Sequence, residues 1–134
     1  ELARRMKASP AEFEKLGFCD TVMGVKVTGS NPHLYSLRFD VFECSDVREV
    51  SSPSGAGFDF TLEAPLALWK EMFEVIQKGG GQPTPAYTLN SLSHVGDRMK
   101  VVYDDPEGHD KFYRFMATIQ AFVNQAADLK IEWA

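Results

Sequence analysis

Apolar and polar residues alternate over the first half of the chain and recur at helical spacing over the second. Met23, Val25 and Val27 alternate with Gly24 and Lys26, which predicts a strand over Val22–Thr28. Leu37, Phe39 and Val41 alternate with Arg38 and Asp40, predicting a second strand over Ser36–Cys44. Phe42 breaks that alternation and reads as a bulge, or as a strand covered on both faces. Gly29-Ser30-Asn31-Pro32 marks a turn between the two strands. A weaker strand is expected at Val47–Ser51, and Phe58-Asp59-Phe60-Thr61-Leu62 again alternates strictly. Strands joined by connectors this short pair most naturally in the antiparallel sense.

The period then changes. Leu66, Trp69, Met72, Phe73 and Ile76 form one stripe of a helix opened near Pro65 and stopped by Gly79-Gly80-Gly81, with Lys70, Glu71 and Glu74 facing water. Thr88–His94 has room for one or two turns with Leu89 and Leu92 inward. A last strand is read over Arg98–Tyr103, with Met99, Val101 and Tyr103 on one face. Asp105-Pro106 is an N-cap signal for the longest helix, about residues 106–128. Its wide apolar stripe includes Phe112, Phe115, Met116, Ile119, Phe122 and Val123. At the other end, Ser9-Pro10-Ala11-Glu12 has the form of a capping box for a short helix ending at Gly17, with residues 1–8 a frayed lead-in. The order is helix, three or four strands, helix, strand, helix. It predicts a single α+β domain with helices packed on one face of a mostly antiparallel sheet.

Composition narrows the function. The 134 residues are 44% hydrophobic and 25% charged, the balance of a globular domain, and no apolar run reaches the ~20 residues of a membrane span. With 14 Lys and Arg against 19 Asp and Glu, the net charge of −5 works against nucleic acid and anionic lipid surfaces. Cys19 and Cys44 belong to no metal or redox motif and are expected as buried reduced thiols in a cytoplasmic protein.

Candidate chemistry is sparse. Asp104, Asp105, His109 and Asp110 cluster in sequence, but their spacing matches no zinc or EF-hand pattern, and Asp105 is better used as a cap. The three histidines, His33, His94 and His109, lie in connectors where solvation is expected, and His94 with Asp97 is the best remaining acid–base pair. No nucleophile elbow, phosphate loop or dinucleotide fingerprint is present. The apolar side chains say more. Ten Phe, five Met, two Trp and four Tyr, many on two helical stripes, suit an apolar ligand cavity as well as a plain core.

From about Ser36 to Ala127, the chain resembles the sterol carrier protein type-2 family. The resemblance rests on Phe58–Leu62 feeding the helix Leu66–Gln77, on Gly96-Asp97-Arg98-Met99-Lys100-Val101 introducing the last strand, and on the closing helix Pro106–Ala127. The chain departs from the family at Asp104-Asp105-Pro106, in its triple-glycine loop, and in ending Glu132-Trp133-Ala134 rather than in a peroxisomal tripeptide. The resemblance implies a five-stranded sheet, helices on one face and an apolar tunnel between the layers. It implies binding and carriage of fatty acids, acyl-CoA, sterols or similar lipids, without cofactor or metal. It also implies a tunnel lined by Phe60, Trp69, Met72, Phe73, Ile76, Leu92, Met99, Phe115, Met116, Ile119 and Phe122. Two rivals remain open. One is a small enzyme using the same cavity with His94, Asp97 or Asp40 as acid–base groups. The other is a dimerisation or accessory module, with a second copy as partner.

Overall fold

The computed structural model describes residues 1–133 except Gly96 and Asp97. A five-stranded sheet runs in the order β3-β2-β1-β4-β5, built from β1 (Cys19–Thr28), β2 (His33–Val41), β3 (Glu43–Glu49), β4 (Phe60–Pro65) and β5 (Lys100–Val102). Three of its ladders are antiparallel, but β1 and β4 pair in parallel, with Met23 beside Phe60 and Val25 beside Leu62. The segment between β3 and β4 must therefore cross the sheet. Val50 donates to Leu34 O at its start, and Asp59 donates to Val22 O at its end.

The registers place Met23, Val25 and Val27 in line with Leu37, Tyr35 and His33 on one side and with Phe60, Leu62 and Ala64 on the other. This shared face takes the helices α1 (Leu2–Lys7), α2 (Pro10–Lys15), α3 (Leu66–Lys78), α4 (Leu89–His94) and α5 (Pro106–Asn124). Phe39 meets Phe122 edge-on at 5.1 Å between ring centroids, and Phe60 meets Phe112 at 5.4 Å, so α5 lies across the middle of the sheet. The cap at Asp105 follows the sequence reading, and a second cap, at Thr88, adds to it. Thr88 accepts from Ser91 N at 3.2 Å, and Asp105 from Glu107 N at 2.9 Å.

Four expectations need correction. The span read as one strand over Ser36–Cys44 is two, because the chain reverses at Val41-Phe42 between the paired residues Asp40 and Glu43. Phe42 sits in that turn, Val41 adopts φ 60°, and the weak strand expected from Val47 is the second half of β3. Residues 1–8 are not frayed. Met6 is wholly buried, and Arg5 bridges to Asp128 and to the Gln125 carbonyl, which ties α1 to the end of α5. Ser9 makes no side-chain cap, since its backbone (φ −124°, ψ 53°) continues from α1 instead of entering α2 in extended form, although Gly17 at φ 86° does close that helix. The last strand is only Lys100–Val102, and Tyr103 lies beyond it, exposed.

Candidate functional site

The helix-covered face is filled unevenly. Toward the start of α5, the core is solid: Met72, Ile76, Leu92, Met99, Phe112, Phe115 and Ile119 are all buried in one cluster. Toward the β1–β2 turn, an open-sided cavity of about 710 Å³ lies beside this core. Its floor is Val25 and Val27 of β1 with Tyr35 and Leu37 of β2, its sides are Trp69 and Phe73 of α3 and Phe122 and Val123 of α5, and the C-terminal tail adds Trp133. The Phe73 and Trp133 rings stand 6.0 Å apart. Both tryptophans of the chain therefore border the cavity.

Local interactions fix these walls. The Trp69 indole N–H donates to the carbonyls of Lys26 (3.2 Å) and Ala64 (3.1 Å), which anchors α3 to the ends of β1 and β4. Gln77 donates to the carbonyls of Ala126 and Leu129 and so holds the tail leading to Trp133. Polar groups in the wall are few. His33 is the main one: it opens β2, its Nδ1 lies 2.6 Å from Glu49 Oε1, and its Nε2 is buried without a hydrogen-bond partner among the described residues. The expectation of a solvated turn histidine fails there, because His33 pairs with Val27 inside the ladder.

Of the residues expected to line a tunnel, Trp69, Phe73 and Phe122 lie in the cavity wall. Met72, Ile76, Leu92, Met99, Phe115 and Ile119 lie in the solid core beside it, with Met116 half-buried against that core. Phe60 is buried in that same core with its ring against Phe112, and its strand also borders a different hollow, of about 650 Å³, beside Lys26, Thr61 and Glu63. The strand residues Val25, Val27, Tyr35 and Leu37 are lining that sequence reasoning missed. Their period-two pattern was the available signal, whereas nothing local marked Trp133.

The acid–base candidates stand elsewhere. His94 is exposed, its Nδ1 2.7 Å from the Asn90 carbonyl and its Nε2 in contact with the Tyr113 hydroxyl. Asp40 pairs with Arg38 at 3.4 Å, and Asp97 lies outside the described residues. No group of three or more His, Cys, Asp or Glu among the described residues is placed to hold a metal ion. Asp105 caps α5, Asp110 pairs with Arg114, and His109 packs between Tyr103 and Tyr113. Both thiols are free and buried, and burial pushes Cys19 up to about 12 and Cys44 to about 11. Burial would also raise the Asp59 carboxyl. Hydrogen bonds from Val22 N and Thr21 and the ion pair with Lys111 outweigh it and hold that group below the ordinary carboxylate range.

Among the described residues, no helix is long and apolar enough to cross a membrane. No protein-family model matches the sequence, and no curated protein matches it significantly. Solved structures do. A crystal structure of sterol carrier protein 2 superposes with a TM-score of 0.63 at 17% identity, covering 96% of this chain and 92% of the other. A solution structure of a conserved hypothetical protein from Thermus thermophilus, for which sterol carrier protein is offered as a provisional identity, gives 0.64 at 17%, covering 94% and 83%. The chain has the fold of sterol carrier protein 2: an α+β domain with a mixed, mostly antiparallel five-stranded sheet.

Proposed function

We propose that this protein binds and carries a hydrophobic small molecule of the lipid class in the cavity between the sheet and helices α3 and α5. The observation that carries the reading is the 710 Å³ space walled by Trp69, Phe73, Phe122 and Trp133. Its volume falls within the roughly 300–1,000 Å³ of small-molecule sites, and its lining is mostly apolar with few polar groups. The shared fold of a protein named sterol carrier protein 2 supports the same reading. Binding draws on apolar burial, about 25 cal/mol per Å² before ordering costs. The described acid–base candidates His94 and Asp40 do not border the space, and the reading is a carrier without chemistry of its own. Two buried reduced thiols fit a cytoplasmic setting.

The test uses the uncharged fluorophore diphenylhexatriene. Since both tryptophans border the cavity, its binding should quench their emission by energy transfer and saturate at one probe per chain. Phe73→Asp puts a carboxylate into a half-buried wall position and should abolish saturable binding in a folded protein. Unchanged binding in that variant would remove the cavity assignment.

A further inference from the structure

We propose that the free edge of β5 pairs with the same edge of a second copy of this chain, joining the two sheets across a two-fold axis. β5 closes one side of the sheet and is bonded only to β4, which leaves one row of its backbone N–H and C=O groups facing outward. Exposed apolar side chains gather beside that row. Val102 and Tyr103 are exposed, and the Tyr103 ring lies 4.7 Å from His109. His109 lies 4.7 Å from Tyr113, and Tyr113 lies 5.4 Å from His94, which precedes Val95, 68% exposed. A continuous patch of this kind along an open edge is the form of a protein interface.

The edge residues fit a copy of themselves. Outward-facing backbone groups belong to every second residue, and in an antiparallel ladder such residues must lie opposite one another. A strand can therefore pair with itself only about an axis through a residue. An axis at Val102 sets Val102 against Val102, Val101 against Tyr103, and Lys100 against Asp104 twice. An axis at Val101 or Tyr103 instead sets a charge against Val102. The faces agree as well: Lys100 lies beside Glu63 in the ladder, and Val102 and Asp104 border the same hollow as Glu63. Lys100 and Asp104 are both exposed, and among the described residues neither stands in an ion pair. The other edge, β3, is unsuited, since Ser45 bulges from its ladder and Arg48 is bonded to Asp46 of its own strand. None of these β5 residues lines the cavity beneath Trp69 and Phe73, so pairing leaves the cavity free and stands or falls separately from the carrier reading.

Sedimentation equilibrium of the whole chain over a concentration series tests the pairing. The wild type should approach the mass of two chains as concentration rises. Lys100→Asp and Asp104→Lys, both at exposed positions, each set like charges opposite one another twice and should weaken the dimer roughly tenfold with an unchanged circular dichroism spectrum. An equimolar mixture of the two variants sets Asp against Lys at both places, so it should regain a dimer about as strong as the wild type. That recovery separates pairing at this edge from damage to the fold. A wild type that stays monomeric up to about 1 mM, a dimer indifferent to both substitutions, or a mixture that associates no better than either variant alone would each overturn the pairing.

Discussion

Replacing Gly108 with alanine tests how α5, which carries the Phe122 and Val123 walls, is seated on the sheet. In an exposed helix the exchange would stabilise by about 1 kcal/mol through propensity alone. Here a Cβ would sit 1.8 Å from the Asp59 carbonyl oxygen and 2.9 Å from its carbon. Backbone at Asp59 cannot give way easily. Its N–H is bonded to Val22 O, and its carboxylate is held by Val22 N at 3.0 Å, Thr21 at 2.8 Å and Lys111 at 3.3 Å. The first turn of α5 must therefore lift from β4, opening the Phe60–Phe112 contact. Overpacking of this kind costs up to about 3 kcal/mol, so the net loss is about 2 kcal/mol. At about 2.1 cal/mol/K per residue, a chain of this length unfolds with an entropy near 0.28 kcal/mol/K, which converts the loss into a fall in Tm of about 7 °C. Thermal unfolding followed by circular dichroism, paired with urea titration, reads the effect. An unchanged or raised Tm would show that the close approach of α5 to Asp59 is wrong.

Three further outcomes follow from the same geometry. Val41→Gly should stabilise by about 1 kcal/mol in urea unfolding, because a β-branched residue at φ 60° is strained and Val41 is half-exposed with little burial to lose; a lower urea midpoint would refute the turn. The depressed Asp59 carboxyl contributes stability that is present above its unfolded value near 3.8 and is lost as pH falls through its lower folded value. Asp59→Asn should therefore destabilise at pH 7 by about 1–2 kcal/mol and flatten the acid limb of the stability profile, whereas an acid limb of unchanged slope would count against the Asp59 network. Cys19 and Cys44, raised to about 12 and 11 by burial, should resist thiol reagents at pH 8 until the chain unfolds, and prompt labelling of the native protein would contradict their placement.

What could be read from the sequence follows the range of the interactions involved. The stripes of α3 and α5, the Asp105 cap and the stop at Gly79 are local, and spacing alone reveals them. The β2–β3 reversal is hidden, because Val41-Phe42 offers none of the Gly, Asn or Asp that usually marks a two-residue turn. The ordering of α1 depends on burying Met6 and on Arg5 meeting Asp128, more than a hundred residues away, so no local pattern announces it. The parallel β1–β4 pair has the same origin, since strand partners depend on where the segment 50–59 crosses the sheet. Sequence also distinguishes apolar from polar better than filled from hollow. Met72 and Phe73 are neighbours on one stripe, yet Met72 closes the core and Phe73 borders the cavity. Which of these adjacent side chains meets the core is set by how α3 is seated against the sheet and the C-terminal tail, a property of the whole packing.

If the space beneath Trp69, Phe73 and Phe122 holds an apolar molecule, native mass spectrometry of the protein after incubation with excess dodecanol will show it directly. The expected spectrum has one dodecanol adduct per chain, lost in Phe73→Asp and released by organic solvent. A wild-type spectrum showing only the bare chain, or an adduct equally abundant in Phe73→Asp, would contradict the carrier reading.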